Sequence, residues 1–224
     1  HRVSKTVQIQ GAQNIDWEEM AQDEEHLYIF DCGNNRGKRD HLQIYKTQWQ
    51  DLQQAKDGSQ VSAEVITFSY ADKPEKVNAG FHDYDCEAVA AVDDQLWLFT
   101  KNRRDQHTNL YVLDKSKPVQ SVQPQAKFQV KGLITAADYD PQSQTLALLG
   151  YEKGVLFGQS FVWTVPVKDK PLWNKATRYS LMPYGQWEAV KWDRSQGPLR
   201  LLLTTESTPL LSVSLGELTF PDIK

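Results

Sequence analysis

A fragment that returns four times constrains this chain more than any other feature. It reads DWEEMAQD…LYIFDCGNN at 16–35, DCEAVAAVDDQLWLFTKN at 85–102, TAADYDPQSQTLALLGYE at 135–152 and QWEAVKWD…LRLLLTTES at 186–207. Each copy is a short strand, a tight polar turn and a second, more apolar strand. Repeated β-hairpins of this size predict a β-propeller or a related β-array, because one hairpin cannot bury its apolar face without its neighbours. The fold class expected is all-β, a propeller of four-stranded antiparallel blades. Four blades are visible and five are possible.

The intervening segments supply the outer strands. Strands are predicted at 7–9, 41–47 and 63–70, then at 109–113 and 126–130, then at 156–165 and 176–181. The last copy is followed by candidates at 210–213 and 218–220. The Gln-rich stretch 48–60 is the weakest strand candidate and suits a short helix. No Pro/Ser linker divides the 224 residues, so a single domain over 1–224 is expected. The aromatic fraction of 11% and seven Trp suit a β core, and Trp17, Tyr28, Phe30, Trp97, Phe99, Leu148, Trp187 and Leu202 are its expected members.

Charge and cysteines bound the partners. The net charge is −4 and no dense basic stripe exists, which argues against nucleic acid. No apolar run approaches a membrane span. The chain opens on His1 rather than Met, so a removed leader or a trimmed start is expected. Two cysteines make no disulfide framework. Cys32 ends one inner strand pair and Cys86 begins the next; they are near neighbours, expected as buried free thiols.

The repeat also predicts a site. Glu18, Glu87 and Glu188 stand at one position in three copies. The pairs Glu18 to Asp31, Glu87 to Thr100 and Ala137 to Gly150 are each thirteen residues apart, which aligns Ala137 with the glutamates. In a propeller the first strand of each blade lies nearest the axis, and its start shares a face with the end of the second. Asp16, Glu18, Asp31, Asn34, Asn35, Asp85, Glu87, Lys101, Asn102, Thr135, Asp138, Tyr151, Glu152, Gln186, Glu188, Glu206 and Ser207 are therefore expected around one mouth of the central channel. The ligand-binding candidates are Glu18, Asn34, Glu87, Lys101, Asn102, Glu188 and Glu206. A cation or a polyhydroxyl ligand suits this acid-rich ring better than a phosphate, and Ca²⁺ on Glu18, Glu87 and Glu188 is the metal expectation. The alternative is a hydrogen-bonded blade junction with water in the channel.

Other signals are weaker. Gly33–Arg39 has the composition of an anion nest but no P-loop spacing, and a solvated turn fits it better. Asp138-Tyr139-Asp140-Pro141 lacks the Gly and distal Glu of a calcium loop and reads as a hairpin turn. The five histidines show no paired metal spacing; His82, just ahead of Asp85 and Glu87, is the candidate proton carrier. No G-x-S-x-G marks a serine nucleophile.

Taken as a set, DWE with D-x-GNN-R, DCEAV with LFTKN, GLITAAD with LLGY, and QWEAV resemble a group of uncharacterised secreted bacterial β-propeller proteins, over about Asn14 to Glu206. The resemblance implies a propeller fold and export to the periplasm or the outside. It also implies a further blade ahead of the DWE segment, so a four-bladed form and a five-bladed form with one blade lost or reduced are both open. The motifs distantly resemble calcium-dependent lactonase-type propellers, whose metal sits in the channel on Glu, Asn and Asp. The function expected is ligand or partner binding at the channel mouth. The alternatives are a Ca²⁺-dependent hydrolase, with Glu18, Glu87 and Glu188 as ligands and His82 as base, and a structural protein-interaction module.

Overall fold

The computed structural model describes residues 3–152, 158–182, 184–195, 198–206 and 212–220. Four antiparallel sheets are arranged as the blades of a β-propeller. Blade 1 runs from the axis outward as Trp17–Gln22, His26–Asp31, Leu42–Gln48 and Glu64–Tyr70; blade 2 as Cys86–Val92, Gln95–Thr100, Thr108–Asp114 and Pro124–Phe128. Blade 3 is Leu133–Asp140, Thr145–Glu152, Gln159–Pro166 and Thr177–Leu181, and blade 4 is Trp187–Asp193, Arg200–Thr205 and Leu215–Thr219. Between its last two strands blade 2 sends Val119–Val122 across to pair in parallel with Glu64–Tyr70 of blade 1. Such an exchange covers an edge that would otherwise stay open.

The Gln-rich stretch forms a helix, Trp49–Gln54, with Leu52 buried and Asp51 in the first turn. Most expected strands lie within a few residues of their predicted place. In blade 4, part of 210–213 falls outside the described residues, and Leu215–Thr219 is the strand that pairs directly with Arg200–Thr205. In blade 3, 153–157 are likewise outside, and the strand begins at Gln159. No helix among the described residues is long and apolar enough to cross a membrane.

Apolar layers lie between successive blades. Phe30, Phe68, Val89 and Tyr111 fill the space between blades 1 and 2. Phe99, Ile134, Leu148 and Phe161 lie between blades 2 and 3, and Leu149, Trp187, Leu201 and Leu203 between blades 3 and 4. Of the eight core residues expected, six are buried. Trp17 is 38% exposed, because it packs on Tyr45 (centroids 6.1 Å apart) on the flank of blade 1 opposite the layer shared with blade 2. Leu202 is half-buried because Leu201 and Leu203 take the flank facing blade 3, and alternation turns Leu202 the other way.

The cysteines are not free thiols. Cys32 and Cys86 form a disulfide, with Cα atoms 5.5 Å apart. It joins the end of a blade-1 strand to the start of the innermost blade-2 strand. Only the packing of one blade on the next brings these ends together, and sequence spacing does not report that.

Candidate functional site

Each innermost strand carries a β-bulge at the same place. The register shifts between Trp17 and Glu19, between Cys86 and Ala88, between Ile134 and Ala136, and between Trp187 and Ala189. The extra residues are Glu18, Glu87, Thr135 and Glu188. A bulge re-aims the side chain it carries, and here it does so four times around one axis. Thr135, not Ala137, is thus the counterpart of the three glutamates. The third hairpin is two residues longer than the first two, which defeats an alignment by constant spacing. Asp138 lies three residues further along its strand than Thr135. It bonds Lys191 Nζ (2.8 Å) and the Trp192 amide (2.8 Å) of blade 4, and does not belong to the rim.

Lys101 is the hub of the mouth. Its Nζ lies 3.0 Å from Glu87 Oε2, with both side chains buried, and 5.6 Å from the centre of the Tyr151 ring. Burial works against the ammonium, but Glu87, Tyr151 and Glu188 outweigh it and hold Lys101 above the usual lysine range. Arg103 adds a second cation, 2.8 Å from Asp85 Oδ2 and 3.7 Å from Glu87 Oε1. Burial holds Glu87 above the usual carboxyl range, with Lys101 opposing and Asp85 and Glu18 adding to the rise.

The other two glutamates are also held above the usual carboxyl range. Burial, then Asp16 and Asp85, raise Glu18 to about 8, with Lys101 opposing. Burial raises Glu188 to about 7; Lys101 and Arg103 pull it down and Glu206 pushes it up. The mouth therefore offers donors and acceptors side by side.

The loop after the second strand of blade 1 frames the glutamates. The Gly33 amide donates to Asp16 O (3.0 Å), and a Cβ built on Gly33 would lie 2.3 Å from Asp16 Oδ2 and 2.4 Å from Glu18 Oε1. Only a residue without a side chain lets the backbone approach both carboxyls so closely. Arg39 ties the loop down through Asp31 Oδ1 (3.0 Å) and the Gly33 carbonyl (3.0 Å). The 33–39 segment is thus a turn cross-linked through Gly33, Asn34 and Arg39, with Asn35, Arg36 and Lys38 exposed to solvent.

Several expected site residues serve the scaffold. Asn34 is buried: its side chain accepts from the Arg39 amide and donates to the Arg39 and Tyr84 carbonyls. Asn102 is fully buried between Thr100 and Asn109. His82 is 2% exposed. Its Nδ1 accepts from the Tyr84 amide (3.1 Å), so Nε2 carries the proton and faces Asn35 O (3.1 Å). Both nitrogens are engaged, and His82 pins two loops together. Glu206 is exposed; its amide donates to the Gln186 carbonyl (3.1 Å) and its charge raises Glu188. Ser207 lies outside the described residues.

Among the described residues no group of three or more His, Cys, Asp or Glu side chains is placed to hold a metal ion. Lys101 acts electrostatically on Glu18, Glu87 and Glu188, the three carboxyls expected to hold Ca²⁺.

Sequence reasoning missed two features. Glu19, next to the first bulge, reaches toward the backbone of Ala137 in blade 3. Burial holds it well above the usual carboxyl range, and among the described residues its Oε2 has no hydrogen-bond partner. Phe81 and Gln106 line a cleft of about 260 Å³ that adjoins the mouth at Arg103 and Tyr151. The signal for Phe81 was faint: a lone aromatic in a polar loop, three residues after Asn78. A larger cavity of about 820 Å³ lies along Asp94, Lys115 and Gln120, away from the mouth residues. There Lys115 is committed to Asp23 and Gln120 to Asp114, so the mouth is the better candidate.

No family model matches the chain. No curated protein matches it. Among solved structures, the crystal structure of an endo-arabinase from Bacteroides thetaiotaomicron is similar to this chain at 13% identity and a TM-score of 0.48, over 96% of this chain and 78% of that one. At that identity and score, the likeness bears on neither substrate nor mechanism.

Proposed function

We propose that this protein is an exported β-propeller that binds a small polyhydroxylated ligand at its channel mouth. The observation that carries the reading is the arrangement around Lys101. The two cations, Lys101 and Arg103, are matched by Glu87 and Asp85, and Glu18 and Glu188 are held above the usual carboxyl range. Such a surface has little net charge to attract a metal or a phosphate. It offers both donors and acceptors, which is what adjacent hydroxyls require. Export is supported by the disulfide, which persists in oxidising compartments. Calorimetric titration with neutral sugars and polyols tests the binding. Heat of binding that Glu188→Gln reduces supports the reading, and no heat from any of them rejects it.

A hydrolytic reading has one observation behind it. Glu188, held at about 7, is suited to general acid work at neutral pH. Product released from lactones or neutral oligosaccharides, and abolished in Glu188→Gln, would support it; unchanged substrate limits the mouth to binding.

A further inference from the structure

We infer that the cleft beside the mouth, between blades 2 and 3, seats one ring of a neutral sugar, and that Phe81 is the residue selecting for a ring. This rests on the polyhydroxyl reading of the mouth and assigns the ligand a shape.

Size comes first. The cleft encloses about 260 Å³ among Phe81, Arg103, Gln106, Leu133, Tyr151 and Glu152. Sites for drug-sized ligands run from roughly 300 Å³ upward, so this one suits a single ring continuing from the mouth.

Charge decides the class of ring. Arg103 is already neutralised by Asp85 and Glu87, and Glu152 is paired with Arg178. A guanidinium and a carboxylate each matched within the protein still form hydrogen bonds but attract neither an anion nor a cation. The cleft is polar without net charge, which disfavours phosphates, sugar acids and amines and favours neutral hydroxyls.

Phe81 supplies the discrimination. It is 56% exposed, and single exposed aromatics are ordinary on a protein surface. This one is held there. The Gly80 amide donates to Asn35 O (2.8 Å), the Phe81 amide to Asn78 O (3.0 Å), and the buried His82 ring holds Asn35 O and the Tyr84 amide. Gly80 has a φ of 70°, which lets the chain make this turn. The backbone on both sides is thus fixed while the ring stays uncovered at the rim. A pyranose or furanose presents a face of C–H bonds, and the negative face of a benzene ring attracts that face. An open-chain polyol has hydroxyls but no such face.

Calorimetric titration of the intact chain with methyl pyranosides and furanosides, and with acyclic sorbitol, tests this. The expected result is that Phe81→Ala weakens ring-sugar binding about tenfold or more, the equivalent of a buried aromatic face. Phe81→Trp should restore it, and sorbitol should bind no tighter to wild type than to Phe81→Ala. Phe81 is exposed, so an unchanged melting curve should accompany the loss. Ring-sugar affinity that survives Phe81→Ala but not Glu188→Gln would overturn the cleft assignment and leave the mouth reading standing. No binding of any sugar or polyol to wild type would overturn both.

Discussion

Lys101 Nζ lies 3.0 Å from Glu87 Oε2, and the two side chains are only 8% and 5% exposed. Glu87 sits on a bulge of the innermost blade-2 strand and Lys101 directly follows the neighbouring strand. The pair thus closes the mouth end of one hairpin. Removing one member of a buried pair strands the other charge, which costs about 3–5 kcal/mol. Lys101→Met should lower unfolding stability by that order in urea titrations. Lys101→Met with Glu87→Gln should recover part of it, since neither member of the pair is then left as an unpaired buried charge.

Stability should fall as pH rises through neutrality. An unfolded glutamate titrates near 4.5, whereas Glu188 is raised to about 7 and Glu18 to about 8. Between those values the native state binds more protons than the unfolded one, so stability decreases with pH from about 4.5 to about 8 and then levels. Asp23, Asp105, Asp140 and Asp193 are shifted downward, and their contribution is lost only in acid below that window. Thermal melts at pH 5.5 and 8 should show the higher midpoint at pH 5.5. Glu188→Gln should shrink the difference, and an equal or larger difference in the variant would exclude Glu188 as its source.

The Cys32–Cys86 bridge closes a loop of 54 residues. Loop entropy assigns such a closure about 4 kcal/mol. Guanidinium unfolding with and without reductant should differ by that order, and Cys32→Ala with Cys86→Ala should match the reduced protein. Because the bridge adjoins Gly33 on one side and Glu87 on the other, reduction should also weaken ligand binding at the mouth.

Gly33→Ala should separate folding from site geometry. The added Cβ would meet the Asp16 and Glu18 carboxyls at 2.3–2.4 Å, a distance that forces both to move. Circular dichroism should remain that of a β protein. The titration of Glu18, followed by carboxyl NMR, should shift downward as Asp16 is displaced. An unmoved Glu18 titration would show that Gly33 does not set the proton on that group.

Calcium should leave the melting temperature of the wild type unchanged, because Lys101 already serves the three glutamates. Lys101→Ser removes the ammonium and leaves Glu18, Glu87 and Glu188 with no common cation, so millimolar Ca²⁺ should stabilise that variant relative to chelator. Stabilisation of the wild type by Ca²⁺ would show that the ammonium does not fill the metal's role.

The sequence by itself determined the repeat, and through it the architecture and the ring of glutamates. Period-two alternation and four copies of one hairpin leave a propeller as the economical way to bury their apolar faces, and copies at equivalent positions must converge on the axis. Tertiary structure alone decided what those positions became. The bulges that aim Glu18, Glu87, Thr135 and Glu188 depend on pairing register, so Thr135 was misaligned until the strands were paired. The disulfide, the bonds that draw Asn34 and His82 into the scaffold, and the place of Lys101 among three carboxyls arise where one blade meets the next, whereas Asn102 is held within blade 2. Those contacts between blades join residues some fifty to ninety positions apart. Local pattern carries the shape of a blade, but the charge and hydrogen bonding of a site between blades are set by neighbours the chain reaches only on folding.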